Sequence, residues 1–216
     1  MRETVIREVC EKKLIVIVRG VEEENLIPFA EAVYDAGVRL IEVTYSADGR
    51  ITDEETAGQI NKIKKHFNGN MFVGAGTVIK TSQVEQTMNA GGQFIISPDT
   101  YDEVIKKTIS CGMVSMPGAM TPSEIQQAHR TGADLVKVFP TVSLGAEYIK
   151  AITAPLSHIR LLAVGGVDLT NIKEYLKAGI AGFGIGSNIV NKKLIAEKKF
   201  AEITELAKRY VDAVNN

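Results

Sequence analysis

The chain has 216 residues, of which 45% are hydrophobic and 24% charged, and its formal net charge at neutral pH is −1. This length and composition predict a globular protein with a buried core, and we expect residues 1–216 to form a single domain. The small net charge gives no bulk attraction to nucleic acid or to an anionic membrane.

The N-terminal segment, residues 1–13, is charged and amphipathic and contains no apolar signal core. No apolar run along the chain approaches the roughly 20 residues of a membrane span. The two cysteines, Cys10 and Cys111, form no C-x-x-C pair and are most simply reduced thiols. We therefore expect a cytoplasmic protein that binds neither membrane nor nucleic acid.

Short apolar runs alternate with amphipathic segments, most of which end in Gly, the residue favoured just past a helix. Eight runs are predicted strands: residues 14–18, 40–44, 71–74, 94–97, 113–116, 135–139, 161–164 and 181–185. Eight strands alternating with helices predict an α/β fold, a closed (β/α)8 TIM barrel. The alternative is an open doubly wound sheet, although residues 19–22 lack its glycine-rich turn.

Polar residues mark several helix starts. Thr121, followed by Pro122 and Glu124, predicts a capped N-terminus. Acidic or polar openings at residues 53–55 and 168–171 predict two more, because the helix dipole favours negative charge there. We expect the last helix to run from about residue 197 to residue 213.

Two charged residues interrupt predicted strands: Glu42 lies within the second and Lys137 within the sixth. Charged side chains are rarely buried unpaired, so we expect both to face the barrel lumen near its catalytic end. Layers of lumen side chains come from alternate strands, so two even-numbered strands would place Lys137 and Glu42 in one layer. The alternatives are a structural ion pair or two side chains that point into solvent.

A lysine beside a carboxylate suits Schiff-base chemistry. Desolvation disfavours the ammonium and lowers the lysine pKa, and we expect Phe139 and Val138 to supply an apolar wall. A neutral amine adds to a ketone, and the resulting iminium permits cleavage of the neighbouring C–C bond. Glu42 would move the protons, although its negative charge also raises the pKa of Lys137.

Glycine-rich loops follow the last two predicted strands. Gly165 and Gly166 follow the seventh strand, and Gly186 and Ser187 end the eighth, before the short apolar segment 189–190. Barrels often bind phosphate with these two loops and the N-terminus of a short extra helix. The loops therefore predict a phosphate site, with a pair of tight turns as the structural alternative.

The other strand ends suggest a carboxylate site. Gly76 and Thr77 follow the third strand, where open backbone and a hydroxyl suit a pyruvyl carboxylate; otherwise Thr77 caps the next helix. Arg19, at the end of the first strand, is a second anion-binding candidate, or a solvated side chain. Pro98 and Pro117 end the fourth and fifth strands at the same end of the barrel and are typical of turns.

In combination these segments resemble the 2-keto-3-deoxy-6-phosphogluconate (KDPG) / 4-hydroxy-2-oxoglutarate (KHG) aldolase family. The resembling motifs occur in order over nearly the whole chain: IVR (17–19), IEVT (41–44), VGAGTV (73–78), ISP (96–98), PGAMTPSE (117–124), VKVFP (136–140), GGV (165–167) and GIGS (184–187). The resemblance implies a (β/α)8 barrel, usually a homotrimer, that requires no cofactor and no metal.

The resemblance also implies a class I aldolase of the Entner–Doudoroff type, which cleaves a phosphorylated 2-keto-3-deoxy sugar acid to pyruvate and glyceraldehyde 3-phosphate. Carried over by position, Lys137 is the Schiff-base lysine and Glu42 the acid/base. Thr77 would help to hold the pyruvyl carboxylate, and Phe139 would wall the site. The phosphate would be bound by Gly165, Gly166, Gly186 and Ser187.

Two positions depart from the family pattern. Some members carry Arg four residues after the catalytic Glu, where this chain has Ser46, so Arg19 is expected to carry more of the carboxylate binding. Gluconate-type members usually have Thr before the Gly-Gly pair, where this chain has Val164, as in phosphogalactonate-type relatives. The phosphogalactonate is therefore the alternative substrate, and activity on unphosphorylated 4-hydroxy-2-oxoglutarate is a further expectation.

Three other functions compete with this interpretation. A phosphate-binding barrel isomerase or synthase would share the glycine loops but would not need a lysine in the sixth strand. A metal-dependent aldolase would need clustered ligands, whereas His66, His129 and His158 are scattered. A binding protein that has lost catalysis would not need the Lys137–Glu42 pair.

Overall fold

Parallel strands form the wall of the molecule, and the computed structural model describes residues 1–215. The strands are β1 (Leu14–Val18), β2 (Leu40–Thr44), β3 (Phe72–Gly76), β4 (Phe94–Ile96), β5 (Val114–Met116), β6 (Gly118–Ala119), β7 (Val136–Val138), β8 (Leu161–Val164) and β9 (Gly182–Ile185). They form one nine-stranded sheet in the order β5-β4-β3-β2-β1-β9-β8-β7-β6. The predicted (β/α)8 barrel is therefore confirmed.

The sheet closes into a barrel where β5 and β6 meet, between β4 and β7. We call this junction, residues 114–119, the seam. β5 pairs with β4 and β6 pairs with β7, and only Pro117 separates β5 from β6 along the chain. The Lys137 N–H donates to the Pro117 carbonyl at 2.8 Å, and the Asp134 N–H donates to the Ser115 carbonyl at 3.0 Å. The predicted fifth strand, residues 113–116, corresponds to β5; Pro117, which has no N–H to donate, separates it from the two-residue strand β6, which was not predicted.

Helices cover the outside of the wall. They are α1 (Arg2–Lys12), α2 (Glu23–Asp35), α3 (Asp53–Phe67), α4 (Thr81–Asn89), α5 (Asp102–Ser110), α6 (Pro122–Thr131), α7 (Gly145–Thr153), α8 (Ile172–Lys177), α9 (Lys192–Ala196) and α10 (Phe200–Asn215). Within residues 1–215, no helix combines the length and the apolarity that a membrane span requires.

The predicted helix starts are mostly confirmed, and so is the last helix, to within three residues at each end. Thr121 and Thr52 form capping boxes at the N-termini of α6 and α3. The predicted last helix, from about residue 197 to residue 213, corresponds to α10, which begins only at Phe200 because Lys198 has a φ of 54°. That left-handed conformation cannot continue an α-helix.

Helix α1 closes one end of the lumen. Val5 and Val9 are fully buried and pack in a cluster with Leu40, Leu135 and Leu162 from the strands. The Arg2 guanidinium holds Asp134 through contacts of 2.8 and 3.1 Å, and the same carboxylate accepts the Ser115 N–H at 2.8 Å. Val5, Val9, Leu40, Leu135 and Leu162 therefore form an apolar floor at the end of the lumen that α1 covers.

Candidate active site

Glu42 on β2 and Lys137 on β7 lie inside the lumen. Side chains alternate along a strand, so Glu42 shares a face with the floor residue Leu40, and Lys137 shares one with Leu135. The two residues are only 3% and 7% exposed, so both are enclosed. Among residues 1–215 no ion pair within 4.0 Å includes either of them. The pair is near enough for each charge to act on the other group, and it is not in direct contact.

The Glu42 carboxylate lies in a space that a glycine keeps open. A Cβ added at Gly76 would lie 2.0 Å from Glu42 Oε1. The other oxygen, Oε2, is buried and accepts no hydrogen bond within residues 1–215. Burial raises the pKa of Glu42 from 4.5 to about 7, although the positive charges of Lys137 and Arg19 oppose the shift. A carboxyl group with this pKa can both accept and donate a proton near neutral pH.

Burial has the opposite effect on Lys137. Desolvation lowers the pKa of its ammonium below 10.5, and the positive charge of Arg19 lowers it further. Glu42 and Asp99 act in the other direction, because a negative charge stabilises the ammonium. The Nζ atom lies 4.6 Å from the centroid of the Phe139 ring. Burial therefore makes the amine of Lys137 easier to deprotonate than that of an exposed lysine, which is the direction that nucleophilic chemistry requires.

One predicted wall residue faces the other way. Val138 follows Lys137 on β7, so its side chain points outward, into the cluster between strands and helices. The expectation that Val138 helps to desolvate Lys137 is therefore wrong. Phe139, beyond the end of the strand, carries the aromatic contact by itself and is 39% exposed.

Arg19 and Thr77, both predicted to bind a carboxylate, contact each other. Arg19 Nη2 donates to Thr77 Oγ1 at 2.9 Å. Thr77 has a φ of 57°, a left-handed conformation that costs a β-branched residue energy, so the surrounding contacts must hold it there. The Ser46 hydroxyl does not take part in this contact and donates to Asp48 Oδ1 at 2.5 Å. Arg19 is thus the cation that contacts the Thr77 hydroxyl.

The glycine loops lie at the same end of the barrel. A Cβ at Gly165 would lie 3.1 Å from the Phe139 ring, and one at Gly166 would lie 2.3 Å from Val142. Both have positive φ, so the conformation and the close packing both require glycine. Ser187 is exposed beside Gly186.

The short extra helix considered for phosphate binding is not present at residues 189–190. The Ile189 and Val190 N–H groups both donate to the Gly186 carbonyl at 2.9 Å, which forms a turn. Helix α9 begins only at Lys192 and has Asn191 as its N-cap. Any anion at this loop would therefore be bound by the turn itself and by Ser187.

Val164 ends β8 and Pro98 follows β4, and the two strands are separated by β7 and the seam. A Cβ at Gly184 would lie 2.9 Å from the Val164 side chain, so Val164 faces the lumen and presents only methyl groups there. A Cβ added at Gly118 would lie 2.3 Å from the Pro98 carbonyl oxygen. The backbone after β4 therefore approaches the seam closely at this point.

Three residues that contribute to this environment were not predicted. Ile17 is half-buried beside Glu42 in the β1–β2 register, and its side chain lies 3.7 Å from the position of a Gly186 Cβ. Asp99 acts electrostatically on Lys137, and its place after Pro98 at a strand end was the available signal. Thr141 is completely buried beyond β7, and no signal in the sequence marks it.

A cavity of about 1010 Å³ lies beside the lumen and is lined by Arg19, Thr44, Ser46, Arg50 and Lys192, among others. Glu42 and Lys137 do not line it, so it adjoins the buried pair through Arg19. In the described part of the chain, no group of three or more His, Cys, Asp or Glu residues is arranged to hold a metal ion.

Comparison with known proteins identifies relatives over nearly the full length. The family model described as KDPG and KHG aldolase matches residues 5–206. The 2-dehydro-3-deoxy-6-phosphogalactonate aldolase of Escherichia coli K12 is 33% identical over 93% of this chain and 96% of its own. The 2-dehydro-3-deoxy-phosphogluconate aldolase of Haemophilus influenzae is 26% identical over 98% and 97%.

A solved structure shares the architecture. The KDPG aldolase of Legionella pneumophila, with pyruvate captured at low pH as a covalent carbinolamine intermediate, superimposes with a TM-score of 0.84 at 27% identity. The match covers 94% of this chain and 96% of that one.

Proposed function

Because the chain belongs to the KDPG and KHG aldolase family, we propose that it is a class I aldolase in which Lys137 forms a Schiff base with a 2-keto acid. The chain is a lyase that cleaves carbon–carbon bonds, as its family is. The observation that carries the Schiff-base assignment is the enclosed lysine amine facing an enclosed carboxylate in the lumen. Both groups have pKa values shifted towards neutrality.

In the proposed cycle, the neutral Lys137 amine attacks the C2 carbonyl of the substrate. Glu42 donates a proton to the carbonyl oxygen, and the carbinolamine loses water to give the iminium. Glu42 then accepts the proton of the C4 hydroxyl as the C3–C4 bond breaks; the electron pair moves into the iminium and leaves an enamine and an aldehyde. Protonation of C3 and hydrolysis release pyruvate and restore the amine.

The substrate we propose is 2-dehydro-3-deoxy-6-phosphogluconate, cleaved to pyruvate and D-glyceraldehyde 3-phosphate. Thr77 and Arg19 would bind its carboxylate, since their side chains already share a hydrogen bond at the mouth. The phosphate would be bound by Gly165, Gly166, Gly186 and Ser187. Pro98 and Phe139 would wall the reacting carbons.

A second candidate substrate is the galactonate epimer. Val164 supports it, because this lumen-facing side chain offers no hydroxyl to the C4 oxygen. The named activity of the Escherichia coli relative is the same. Cleavage rates of the two phosphorylated epimers and of 4-hydroxy-2-oxoglutarate, compared side by side, decide between them: the preferred epimer should have the highest kcat/KM.

Trapping of the covalent intermediate tests the main proposal. Borohydride added with pyruvate should increase the protein mass by one reduced pyruvyl group on Lys137. A matched control is Lys64→Ala, because burial also lowers the pKa of Lys64 but this lysine donates to Gln93 Oε1 on the outside of the barrel. Lys64→Ala should still form the adduct and Lys137→Ala should not. An adduct that persists in Lys137→Ala would remove this lysine from the mechanism.

We also propose a cytoplasmic homotrimer that folds as one domain and acts in the Entner–Doudoroff pathway. Apolar side chains exposed beyond consecutive strand ends support self-association: Ile79, Tyr101, Met120, Phe139 and Val142. One subunit has a mass of 23.4 kDa, so light scattering should give about 70 kDa for three. A mass near that of one subunit at micromolar concentration would rule the trimer out.

A further inference from the structure

We propose that Thr141 is a positioning residue that sets the spacing between Lys137 and the Gly165–Gly166 pair, and so couples phosphate binding to cleavage. The inference rests on the proposed function and adds a residue that touches neither substrate nor reacting atoms. Thr141 lies beyond β7, in a short 3-10 turn, and is completely buried.

The Thr141 hydroxyl connects two neighbouring strand ends. Its Oγ1 accepts the Val164 N–H at 2.8 Å and shares its own proton between the carbonyls of Val138, at 2.7 Å, and Val164, at 3.0 Å. Val138 directly follows Lys137, and Val164 directly precedes Gly165. One buried side chain therefore joins the residue after the lysine to the residue before the glycine pair.

This connection continues the sheet beyond its last ladder bonds. The β7–β8 register ends with Val138 opposite Ala163. Beyond that point the two chains diverge into loops, and the Val142 N–H donates to the Gly165 carbonyl at 3.0 Å. The Val142 side chain also covers Gly166, where a Cβ would lie 2.3 Å away. Thr141 and Val142 together hold the glycine pair against the end of β7.

The chemistry makes this spacing important. A phosphorylated substrate is held at its imine carbon by Lys137 and at its phosphate by the glycine loops, so the distance between the two anchors must match the sugar chain. A displacement of about 1 Å at a reacting centre costs roughly 10²-fold in rate. Without the Thr141 hydroxyl, the Val164 N–H and the Val138 carbonyl would lose buried partners and the loops could separate. An unphosphorylated substrate does not span the two anchors and should not sense the change.

The test compares substrates that differ in phosphate. Thr141→Val keeps the shape but removes the hydroxyl, and Thr141→Ser retains it. We expect Thr141→Val to lower kcat/KM for the phosphorylated keto acid by about 10- to 100-fold, mostly through kcat. Activity on 4-hydroxy-2-oxoglutarate and trapping of the pyruvyl adduct should stay within about twofold. Thr141→Ser should recover most of the loss.

Thr108→Val is the matched control. Thr108 is also completely buried and donates to the Val104 carbonyl at 2.7 Å, but it lies at the far end of α5. The Thr108→Val variant should be less stable than wild type, but the ratio of its activities on the phosphorylated keto acid and on 4-hydroxy-2-oxoglutarate should be unchanged. If Thr141→Val does not fold, Thr141→Ala, which leaves room for a water, is measured in the same way.

Equal losses on both substrates, or no loss on either, would overturn the role of Thr141. Its failure is distinguishable from failure of the proposed function: the wild-type protein would then still form the borohydride-trapped adduct, whereas a wild type without adduct would end both proposals.

Discussion

At the scale of single residues, the site depends on two charges that the fold keeps away from water. Glu42 Oε2 has no hydrogen-bond partner in residues 1–215, so the carboxylate form is poorly stabilised. Lys137 is enclosed as well, and desolvation outweighs the attraction between the two groups. This enclosure disfavours the charged form of each group, and it therefore makes the charged forms costly for folding.

The first prediction concerns Glu42→Gln. The folded pKa of Glu42, about 7, is above 4.5, so its contribution to stability is complete below pH 4.5 and is lost as the pH rises through 7. Glutamine does not incur this loss. Urea unfolding should therefore show Glu42→Gln gaining up to about 3 kcal/mol over wild type between pH 4.5 and pH 8.

The same variant should lose about 10²- to 10⁴-fold in turnover, because an amide cannot transfer the protons. Unchanged turnover would remove Glu42 from the mechanism. A stability difference that stays constant with pH would contradict the raised pKa.

A second prediction concerns Gly76→Ala. The new Cβ would overlap Glu42 Oε1, which lies at the end of a flexible side chain, so the fold should persist while the carboxylate is displaced. We expect turnover to fall by about 10- to 100-fold with a nearly unchanged melting temperature. Gly58→Ala is the control: no atom lies within 4 Å of its Cβ, and alanine in a helix should add up to about 1 kcal/mol of stability. Wild-type turnover in Gly76→Ala would mean that the carboxylate tolerates displacement.

Sequence reasoning was able to place Glu42 and Lys137 because a charge within an apolar strand is conspicuous. It could not assign the partners of these residues. The contact between Gly76 and Glu42 depends on side-chain packing across two strands, and the Asp99 charge reaches Lys137 only through the curvature of the wall. Val138 was misassigned because proximity along the chain does not reveal which face of a strand a residue occupies.

At the scale of elements, helix α1 closes one end of the lumen that the ring of strands surrounds. Its two fully buried valines contact lumen residues from several strands, while Arg2 holds Asp134 beside the seam. The strand pattern predicts the wall but does not indicate which amphipathic helix covers an end. The start of α10 at Phe200 rather than near residue 197 was also not predictable, because a lysine in left-handed conformation has no sequence signature as strong as that of glycine.

The third prediction tests this floor. Val9→Ala removes buried methyl groups from the lumen cluster and should lower the free energy of unfolding by about 2 kcal/mol, measured by urea denaturation. Turnover at 25 °C should be unaffected, since the floor lies two residues below Glu42 and Lys137 along their strands. Glu11→Ala, at an exposed position on the same helix, should change stability by no more than about 0.5 kcal/mol. A similar loss in both variants would indicate that α1 contributes only its own helicity.

At the scale of the whole molecule, the closed ring depends on the seam at Pro117. Gly118 lies where the fourth strand end presses on the wall, and a Cβ there would meet the Pro98 carbonyl oxygen at 2.3 Å and the Asp99 nitrogen at 2.9 Å. These are backbone atoms, so no side-chain rotation relieves the overlap. Closure thus requires a residue without a side chain at this position.

The fourth prediction follows from that overlap. Gly118→Ala should lower the melting temperature by more than 8 °C, roughly the shift for a loss above about 3 kcal/mol in a domain of this size. Gly112→Ala is the control for backbone strain alone, because Gly112 has a φ of 72° and no atom within 4 Å of its Cβ. It should cost about 1 kcal/mol. Equal decreases in melting temperature in the two variants would show that the backbone at the seam can move to accommodate a Cβ at residue 118.

The enclosure of Glu42 and Lys137 has a consequence for the energetics of moving a proton between them. In water their ordinary pKa values, 4.5 and 10.5, leave a carboxylate and an ammonium so unequal that returning the proton to the acid costs about 8 kcal/mol. The rise of the Glu42 pKa to about 7 by itself removes roughly 3 kcal/mol of that difference. The lowered pKa of Lys137 reduces the difference further. Enclosure in the barrel thereby narrows the free-energy gap between the charged pair and the pair of neutral groups, so that neither protonation state of the pair is as strongly disfavoured as it would be in water.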